Sequence, residues 1–176
     1  MTPLVYLTLL HLKLISKIDL RYSTVYIPQY VLNEAEKWYS PDELRRLLKH
    51  YFVLKKCSVR DKYGAELLYD PKRNPSAPIN RGEAEVIVQA QERGVSEVLI
   101  DEREGAKTAR ERSLNVKGSL GLLKDFKLMG IIQKVQPLIA KLRSEPRGFW
   151  LSESLVDRVL REVGERPLGS ARRSKR

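Results

Sequence analysis

The stretch that decides the fold is residues 80–119, which contains the segments NRGEAEVIVQAQERG (80–94), VSEVLIDEREG (95–105) and NVKGS (115–119). Apolar residues recur at helical spacing in the first segment. The second contains Val98-Leu99-Ile100, a run typical of a short strand buried on both faces of a parallel sheet. The acidic pair Asp101-Glu102 follows this strand. Because the loops after parallel strands converge on one crevice, the stretch predicts an α/β fold with a functional site at the strand ends.

Elements on both sides of this stretch continue the alternation of helices and short strands, which predicts a parallel sheet. Gly94 is placed to end the central helix, and Ser119 to cap the helix that follows the second strand. Further helices are predicted over 2–17, 29–38, 104–114, 119–130, 136–142 and 153–163, with one more opened by Ser40 and Pro41 and with extended segments at 22–27, 52–59 and around Val116.

The composition is that of a folded globular protein. The chain has 176 residues, of which 42% are hydrophobic and 31% charged, so one domain with a real core is expected rather than a disordered chain. One cysteine, Cys57, excludes an intramolecular disulfide and suits a reducing, cytoplasmic compartment. The apolar run over 3–10 is too short to span a membrane and lacks the features of a good signal peptide.

The charge balance favours a polyanionic partner. The net charge is +11, which points first to nucleic acid, although a solvated surface that only aids solubility would have the same composition. The basic residues at the carboxyl end predict a folded domain over 1–164 and a basic, disordered tail over 165–176, in which Arg172 and Arg173 are candidate nucleic-acid contacts.

Three carboxylates lie at or near the ends of predicted elements that face one crevice: Glu34, Glu83 and Asp101. Clustered carboxylates repel one another, and a hard divalent cation such as Mg²⁺ or Mn²⁺ would offset that repulsion. The alternative is that each is an ordinary surface carboxylate. Glu83 in particular suits the first turn of a helix, where negative charge is stabilised.

Two polar residues could contact a phosphate group at a helix start. Asn80 precedes the central helix, where an N-cap is the competing interpretation. Gly118-Ser119 offers backbone donors at the start of the next helix. Most helix starts bind no ligand, so spacing alone does not decide between these roles.

The segments Gly82-Glu-Ala-Glu-Val-Ile, Val98-Leu-Ile-Asp-Glu-Arg-Glu-Gly and Val116-Lys-Gly-Ser-Leu-Gly-Leu-Leu resemble an uncharacterised bacterial and archaeal branch of the PIN-domain superfamily, related to VapC-type toxin ribonucleases. The resemblance extends through residues 26–34 and 148–152. It implies a three-layer α/β/α sandwich and a Mg²⁺- or Mn²⁺-dependent ribonuclease. By the same resemblance, Glu34, Glu83 and Asp101 match the family's acids, Glu102 or Glu104 could supply a fourth, and the partners would be RNA, an antitoxin protein or a second copy of the chain.

One departure from the family concerns the amino terminus. The family begins with a central apolar strand that ends in aspartate, and Thr2-Pro3-Leu4-Val5 resembles the segment that follows it. The first strand and its aspartate are therefore expected to precede Met1, either because the true start lies upstream or because the gene has decayed. Three readings stay open: a metal-dependent nuclease, a catalytically inactive module that binds RNA or protein, and a protein unrelated to nucleic acid.

Overall fold

A computed structural model of the chain describes residues 1–77, 79–144 and 151–167. Its strands are β1 (Val25–Pro28), β2 (Leu54–Cys57), β3 (Glu97–Leu99) and β4 (Asn115–Lys117). Its α-helices are α1 (Pro3–His11), α2 (Gln29–Ala35), α3 (Pro41–His50), α4 (Lys62–Tyr69), α5 (Arg81–Glu92), α6 (Arg103–Glu111), α7 (Ser119–Leu128), α8 (Gln136–Ser144) and α9 (Glu153–Glu162). A 3₁₀ helix covers Ile15–Leu20.

The described strands form two parallel pairs. In one pair Val25 of β1 lies opposite Leu54 of β2, and in the other Val98 of β3 lies opposite Val116 of β4. Helices connect the strands within each pair, as parallel strands require. The predicted parallel α/β fold is therefore confirmed, with its strands arranged as two small sheets rather than one.

The first two residues lie between the two sheets. The Met1 amine donates a hydrogen bond to the Tyr26 carbonyl oxygen at 3.3 Å, and the Thr2 N–H donates to the Leu99 carbonyl oxygen at 2.8 Å. A cavity of about 160 Å³ is lined by Met1 and by residues of β1 and β3. Burial of the Met1 amine disfavours its charged form and lowers its pKa to about 5, although the nearby Cys57 thiol opposes that shift.

Helix α5 holds the two sheets together, because it contacts both β1 and β3. Its residues from Gly82 to Ala90 are all buried. Gly94 closes the helix as predicted, and its φ of 62° is left-handed. The Gly94 N–H donates to the Gln91 carbonyl, and the Val95 N–H donates to the Ala90 carbonyl. This central position puts the first turn of α5 close to several other elements.

Helix α1 is shorter than predicted. It ends at His11 because Lys13 adopts a left-handed backbone with φ of 57°, and the Leu14 N–H turns back to the Leu9 carbonyl at 2.8 Å. The same closing motif usually has glycine at this position, so the lysine leaves no recognisable stop signal in the sequence. A 3₁₀ helix replaces the last predicted turn.

Two other expectations need correction. Helix α4 is not predicted from the sequence, although Asp61 caps it by accepting a hydrogen bond from the Gly64 N–H at 2.8 Å. Ser119 is the first residue of α7 rather than its N-cap, which is Gly118. The predicted tail includes Glu165, whose carboxylate accepts hydrogen bonds from the backbone N–H groups of Val135 and Gln136.

One buried hydrophobic cluster extends from α1 to α9. Helix α9 buries Val156, Val159 and Leu160 and contacts α7. The sequence leaves open whether this apolar face packs within the chain or forms a dimer, and the structure uses it within the chain. In the described parts of the chain, no helix combines the length and the apolarity needed to cross a membrane.

Candidate active site

Electrostatic effects that involve Glu102 connect four carboxylates from three parts of the chain. Glu34 lies on α2 and Glu83 in the first turn of α5, while Asp101 and Glu102 follow β3. Burial raises the pKa of Glu102, and the charges of Asp101 and Glu34 raise it further. The structure thus brings together the acids that the sequence predicts to converge, and we call them the acid cluster.

Glu83 has a structural role through one carboxylate oxygen. Its Oε2 accepts a hydrogen bond from the Asn80 N–H at 3.0 Å, while Asn80 Oδ1 accepts one from the Glu83 N–H at 3.0 Å. This reciprocal pair is a capping box, and the Asn-x-x-Glu spacing was a signal for it. Asn80 therefore has the capping role that the sequence weighed against a phosphate contact.

The other oxygen of Glu83 has no such role. Oε1 is buried and has no hydrogen-bond partner among the described residues. A methyl group on Gly105 of α6 would lie 2.6 Å from this oxygen, so the absence of a side chain there allows the carboxylate its position. The sequence does not predict this contact, because a glycine within a helix indicates only a low helix propensity.

The surroundings of Glu83 favour the uncharged, protonated form of its carboxyl group. Glu83 is 2% exposed, and burial raises its pKa to about 7, an effect that the Asn80 N–H opposes and the neighbouring Glu102 strengthens. A proton on Glu83 can be shared with Glu102, which lies within hydrogen-bonding reach. Near neutral pH this pair of acids therefore holds either a proton or a partner of positive charge.

Asp101 is fixed by the start of α7. Its Oδ1 accepts a hydrogen bond from the Ser119 N–H at 2.6 Å, and its Oδ2 accepts one from the Ser119 hydroxyl. A methyl group on Gly118 would lie 2.6 Å from Asp101 Oδ1. Burial raises the pKa of Asp101, whereas the two bonds from Ser119 lower it. Both donors of Ser119 are thus engaged by Asp101, which explains the Gly118-Ser119 pair after β4.

Glu102 and Glu34 complete the acid cluster. Glu102 precedes α6 without capping it, and its Oε2 is buried with no hydrogen-bond partner among the described residues. Glu34 is half-buried at the end of α2. Burial raises the pKa of Glu34, the nearby Lys37 lowers it, and the charge of Glu85 raises it.

A divalent cation suits the chemistry of these donors. Carboxylate oxygens are the ligands that Mg²⁺ and Mn²⁺ prefer, and Glu83 Oε1 and Glu102 Oε2 are buried oxygens without a hydrogen-bond donor among the described residues unless one of the two acids is protonated. Within residues 1–77, 79–144 and 151–167, no three acidic, histidine or cysteine side chains are already arranged as a metal-ligand group. Glu83 and Glu102 would therefore hold the ion first, with Asp101 and Glu34 nearby.

A cleft of about 730 Å³ opens beside Asp101 and Glu102. Basic residues from α6, α7, α9 and the end of β4 line it: Arg110, Lys117, Lys124 and Arg158. Lys117 and Lys124 are paired with Asp125 and Glu162, which also line the cleft, so Arg110 and Arg158 are the cations that remain for an anionic ligand. The predicted contacts Arg172 and Arg173 lie outside the described residues, so the structure neither adds them to this cleft nor separates them from it.

Comparison with known proteins agrees with this architecture. A family model described as a PIN domain matches residues 1–165. No curated protein and no solved structure matches the chain. The match covers most of the sequence, including every carboxylate of the acid cluster, and the chain belongs to the PIN-domain family.

Proposed function

We propose that this protein is an endoribonuclease that depends on Mg²⁺ or Mn²⁺ and uses Glu34, Glu83, Asp101 and Glu102 at its metal site. PIN domains are nucleic-acid-related, typically nucleases, and they generally use divalent metal ions. The observation that carries the proposal is the pair of buried oxygens Glu83 Oε1 and Glu102 Oε2, which have no hydrogen-bond donor when both acids are ionised, beside a cleft that Arg110 and Arg158 line. Buried polar atoms without partners are costly, so a cation there would relieve that cost.

Each residue of the site has a role that its contacts support. Glu83 and Glu102 hold the cation, and Ser119 keeps the Asp101 carboxylate oriented towards the same region. Arg110 and Arg158 attract the phosphodiester backbone into the cleft. A bound Mg²⁺ or Mn²⁺ supplies an activated water molecule and neutralises charge on the phosphate group.

A second candidate function is an RNA-binding module without catalysis. Three carboxylate oxygens in the acid cluster already accept hydrogen bonds: Glu83 Oε2 from Asn80, and both oxygens of Asp101 from Ser119. These contacts leave fewer oxygens for a metal ion. In that case the basic cleft binds RNA and the acids serve only to shape it.

Cleavage of a labelled single-stranded RNA with Mn²⁺ tests the enzyme proposal. We expect cleavage that EDTA abolishes and that Asp101→Asn lowers by about a hundredfold or more, because even the outer partners of a metal site change activity by 10- to 100-fold. Glu111→Gln is the matched control: Glu111 also lies beyond β3, but at the end of α6, where it pairs with Lys107 at 4.0 Å. Equal cleavage by Asp101→Asn and the parent would contradict the metal-site assignment.

A second form of the protein, extended before Met1 by an apolar segment that ends in aspartate, separates the two candidates. If the extended form cleaves RNA and the 176-residue chain only binds it, the site needs one more carboxylate than this sequence contains. If neither form cleaves RNA and both bind it in a salt-dependent way, the binding module is the correct function. The proposed antitoxin partner and homodimer rest on the same family resemblance, and light scattering of the purified protein measures the dimer directly.

A further inference from the structure

A second cavity lies among α2, α4 and α5. Its volume is about 410 Å³. The residues that matter for its chemistry are Gln29, Tyr30, Asn33, Lys62, Tyr69 and Arg81. We call it the Arg81 pocket.

Arg81 is held between two aromatic rings. Its guanidinium carbon lies 4.6 Å from the ring centroid of Tyr30 and 5.6 Å from that of Tyr69. Its Nε donates a hydrogen bond to Glu85 Oε1 at 2.8 Å. The Arg81 side chain remains 48% exposed, and planar aromatic ligands stack on guanidinium groups and on tyrosine rings.

The charges of the pocket favour a neutral ligand. Among its lining residues, the cations Lys62 and Arg81 are matched by the carboxylates Glu66 and Glu85. A phosphate group would meet as much negative as positive charge here. A flat, uncharged group is therefore a better occupant than an anion.

Polar groups at the rim can recognise the edge of such a ligand. Gln29 and Asn33 lie four residues apart on α2, so they share one face of the helix, and the Gln29 side-chain N–H bonds to the Asn33 side-chain oxygen. Each amide has both donor and acceptor groups, so the pair keeps donors and acceptors beyond this one bond. A nucleobase edge has the same mixture of donors and acceptors.

The helices that line the pocket also hold two residues of the acid cluster. Tyr30 and Glu34 lie four residues apart on α2, and Arg81 is two residues from Glu83 in the first turn of α5. Glu85, which pairs with Arg81, raises the pKa of Glu34 through its charge. A ligand in the pocket would thus lie next to whatever the acids bind.

We propose that the Arg81 pocket binds an unpaired nucleobase of an RNA strand whose backbone passes the acid cluster. This inference rests on the proposed function, since the RNA strand would be the substrate of that site. Bases inside a duplex are stacked on their neighbours and cannot enter a pocket between helices, whereas bases of a single strand can be splayed out. Stacking on tyrosine and arginine tolerates any base, so the pocket selects unpaired structure more than sequence.

The test measures RNA binding in EDTA, where cleavage does not interfere. The probe is a short single-stranded RNA that carries the fluorescent base 2-aminopurine, whose emission falls when it stacks. We expect the parent protein to quench the probe and to bind it more tightly than an RNA duplex of the same length. Tyr69→Leu should weaken binding by about tenfold, within the range for loss of one base-stacking residue.

Two variants serve as controls. Tyr69→Phe keeps the ring and should bind as the parent does. Tyr63→Leu makes the same change as Tyr69→Leu on the same helix, but Tyr63 is 60% exposed and is not among the residues that line the pocket, so it should leave binding unchanged. A probe of the same length in which every nucleotide is abasic should bind the parent and Tyr69→Leu equally.

The outcomes separate this inference from the proposed function. If Tyr69→Leu binds as the parent does, or if the abasic probe binds the parent as tightly as the intact one, the pocket is not a base site, even when Mn²⁺-dependent cleavage is observed. If base-dependent binding is lost in Tyr69→Leu but no form cleaves RNA, the pocket assignment stands and the nuclease proposal fails. If the parent binds no RNA, both are wrong.

Discussion

Two groups of charged side chains lie at the two ends of the three-residue strand β3, and they are built in opposite ways. At its start, Glu97 belongs to a group in which cations match the carboxylates. This paired cluster consists of Arg21, Glu97, Lys117 and Asp125. At its end lies the acid cluster, in which Asp101 and Glu102 meet two further carboxylates.

The charges of the paired cluster are neutralised by ion pairs within the chain. Arg21 lies 3.2 Å from Asp125 and 3.8 Å from Glu97, and Lys117 contacts the same two carboxylates. The Tyr22 hydroxyl adds a hydrogen bond to Glu97 at 2.6 Å. Two positive charges thus match two negative charges, and this group needs nothing from outside.

The acid cluster lacks such compensation. None of its four carboxylates forms an ion pair with a described residue, and burial raises the pKa of each. Carboxylates in this state bind protons or metal ions more readily than paired ones do. Whether the chain supplies counter-charges for its acids therefore matters more than how many acids lie together.

The largest expected effect is on the pH dependence of stability in Glu83→Gln. The pKa of Glu83 is raised from 4.5 to about 7 in the folded state, so the unfolded chain releases its proton first as the pH rises. The parent therefore loses about 3 kcal/mol of stability from this group between pH 4.5 and 7, and the loss is absent below the unfolded pKa. Glutamine keeps the capping box and cannot ionise.

Urea unfolding at pH 4 and pH 8 checks this prediction. We expect Glu83→Gln to match the parent at pH 4 and to exceed its unfolding free energy by about 3 kcal/mol at pH 8. Saturating Mn²⁺ at pH 8 should stabilise the parent more than the variant. If the free energies of unfolding of the parent and the variant differed by the same amount at both pH values, the surroundings of Glu83 would not be raising its pKa.

Lys117→Met should have the next largest effect, because it leaves Glu97 and Asp125 with only Arg21 as a cation. The side chains of Lys117, Glu97 and Asp125 are 19%, 27% and 18% exposed, so the pairs are partly screened by solvent. We expect a loss of about 2 kcal/mol, below the 3–5 kcal/mol typical of fully buried pairs.

Urea unfolding at pH 7 measures this loss, with Lys107→Met as the matched control. Lys107 pairs with Glu111 at 4.0 Å, and the two side chains are 67% and 58% exposed, so its replacement should change stability by less than about 0.5 kcal/mol. If both substitutions lowered the free energy of unfolding equally, the paired cluster would stabilise the fold no more than an exposed ion pair does.

Gly105→Ala should have the smallest effect, and its sign should depend on Glu83. Alanine favours a helix by about 1 kcal/mol over glycine, but here the new methyl group would lie 2.6 Å from Glu83 Oε1. We therefore expect a loss of about 1 kcal/mol in the parent and a gain of similar size in a Glu83→Ala background, where the clash is gone. A stabilised Gly105→Ala parent in thermal or urea unfolding would show that the carboxylate moves away freely.

Local signals in the sequence account for most helix starts and stops. Ser40 with Glu43, and Gly94 after α5, have the predicted capping roles. Helix α4 and the early end of α1 could not be predicted with the same ease. Their signals are an Asp61 cap in a loop-like stretch and a lysine in the conformation that glycine usually adopts.

The alternation of elements and the family could be predicted from the sequence alone, because caps, apolar spacing and motifs are properties of neighbouring residues, and the four acids stay a prediction. Only the tertiary structure decided which charges are compensated, because Arg21 and Asp125 lie 104 positions apart and no spacing rule connects them. The tertiary structure also leaves Glu83 Oε1 and Glu102 Oε2 without a hydrogen-bond donor and places Arg81 near two tyrosine rings. Burial and counter-charge arise from packing between distant segments, and they distinguish a candidate metal site from a salt-bridge cluster of the same composition.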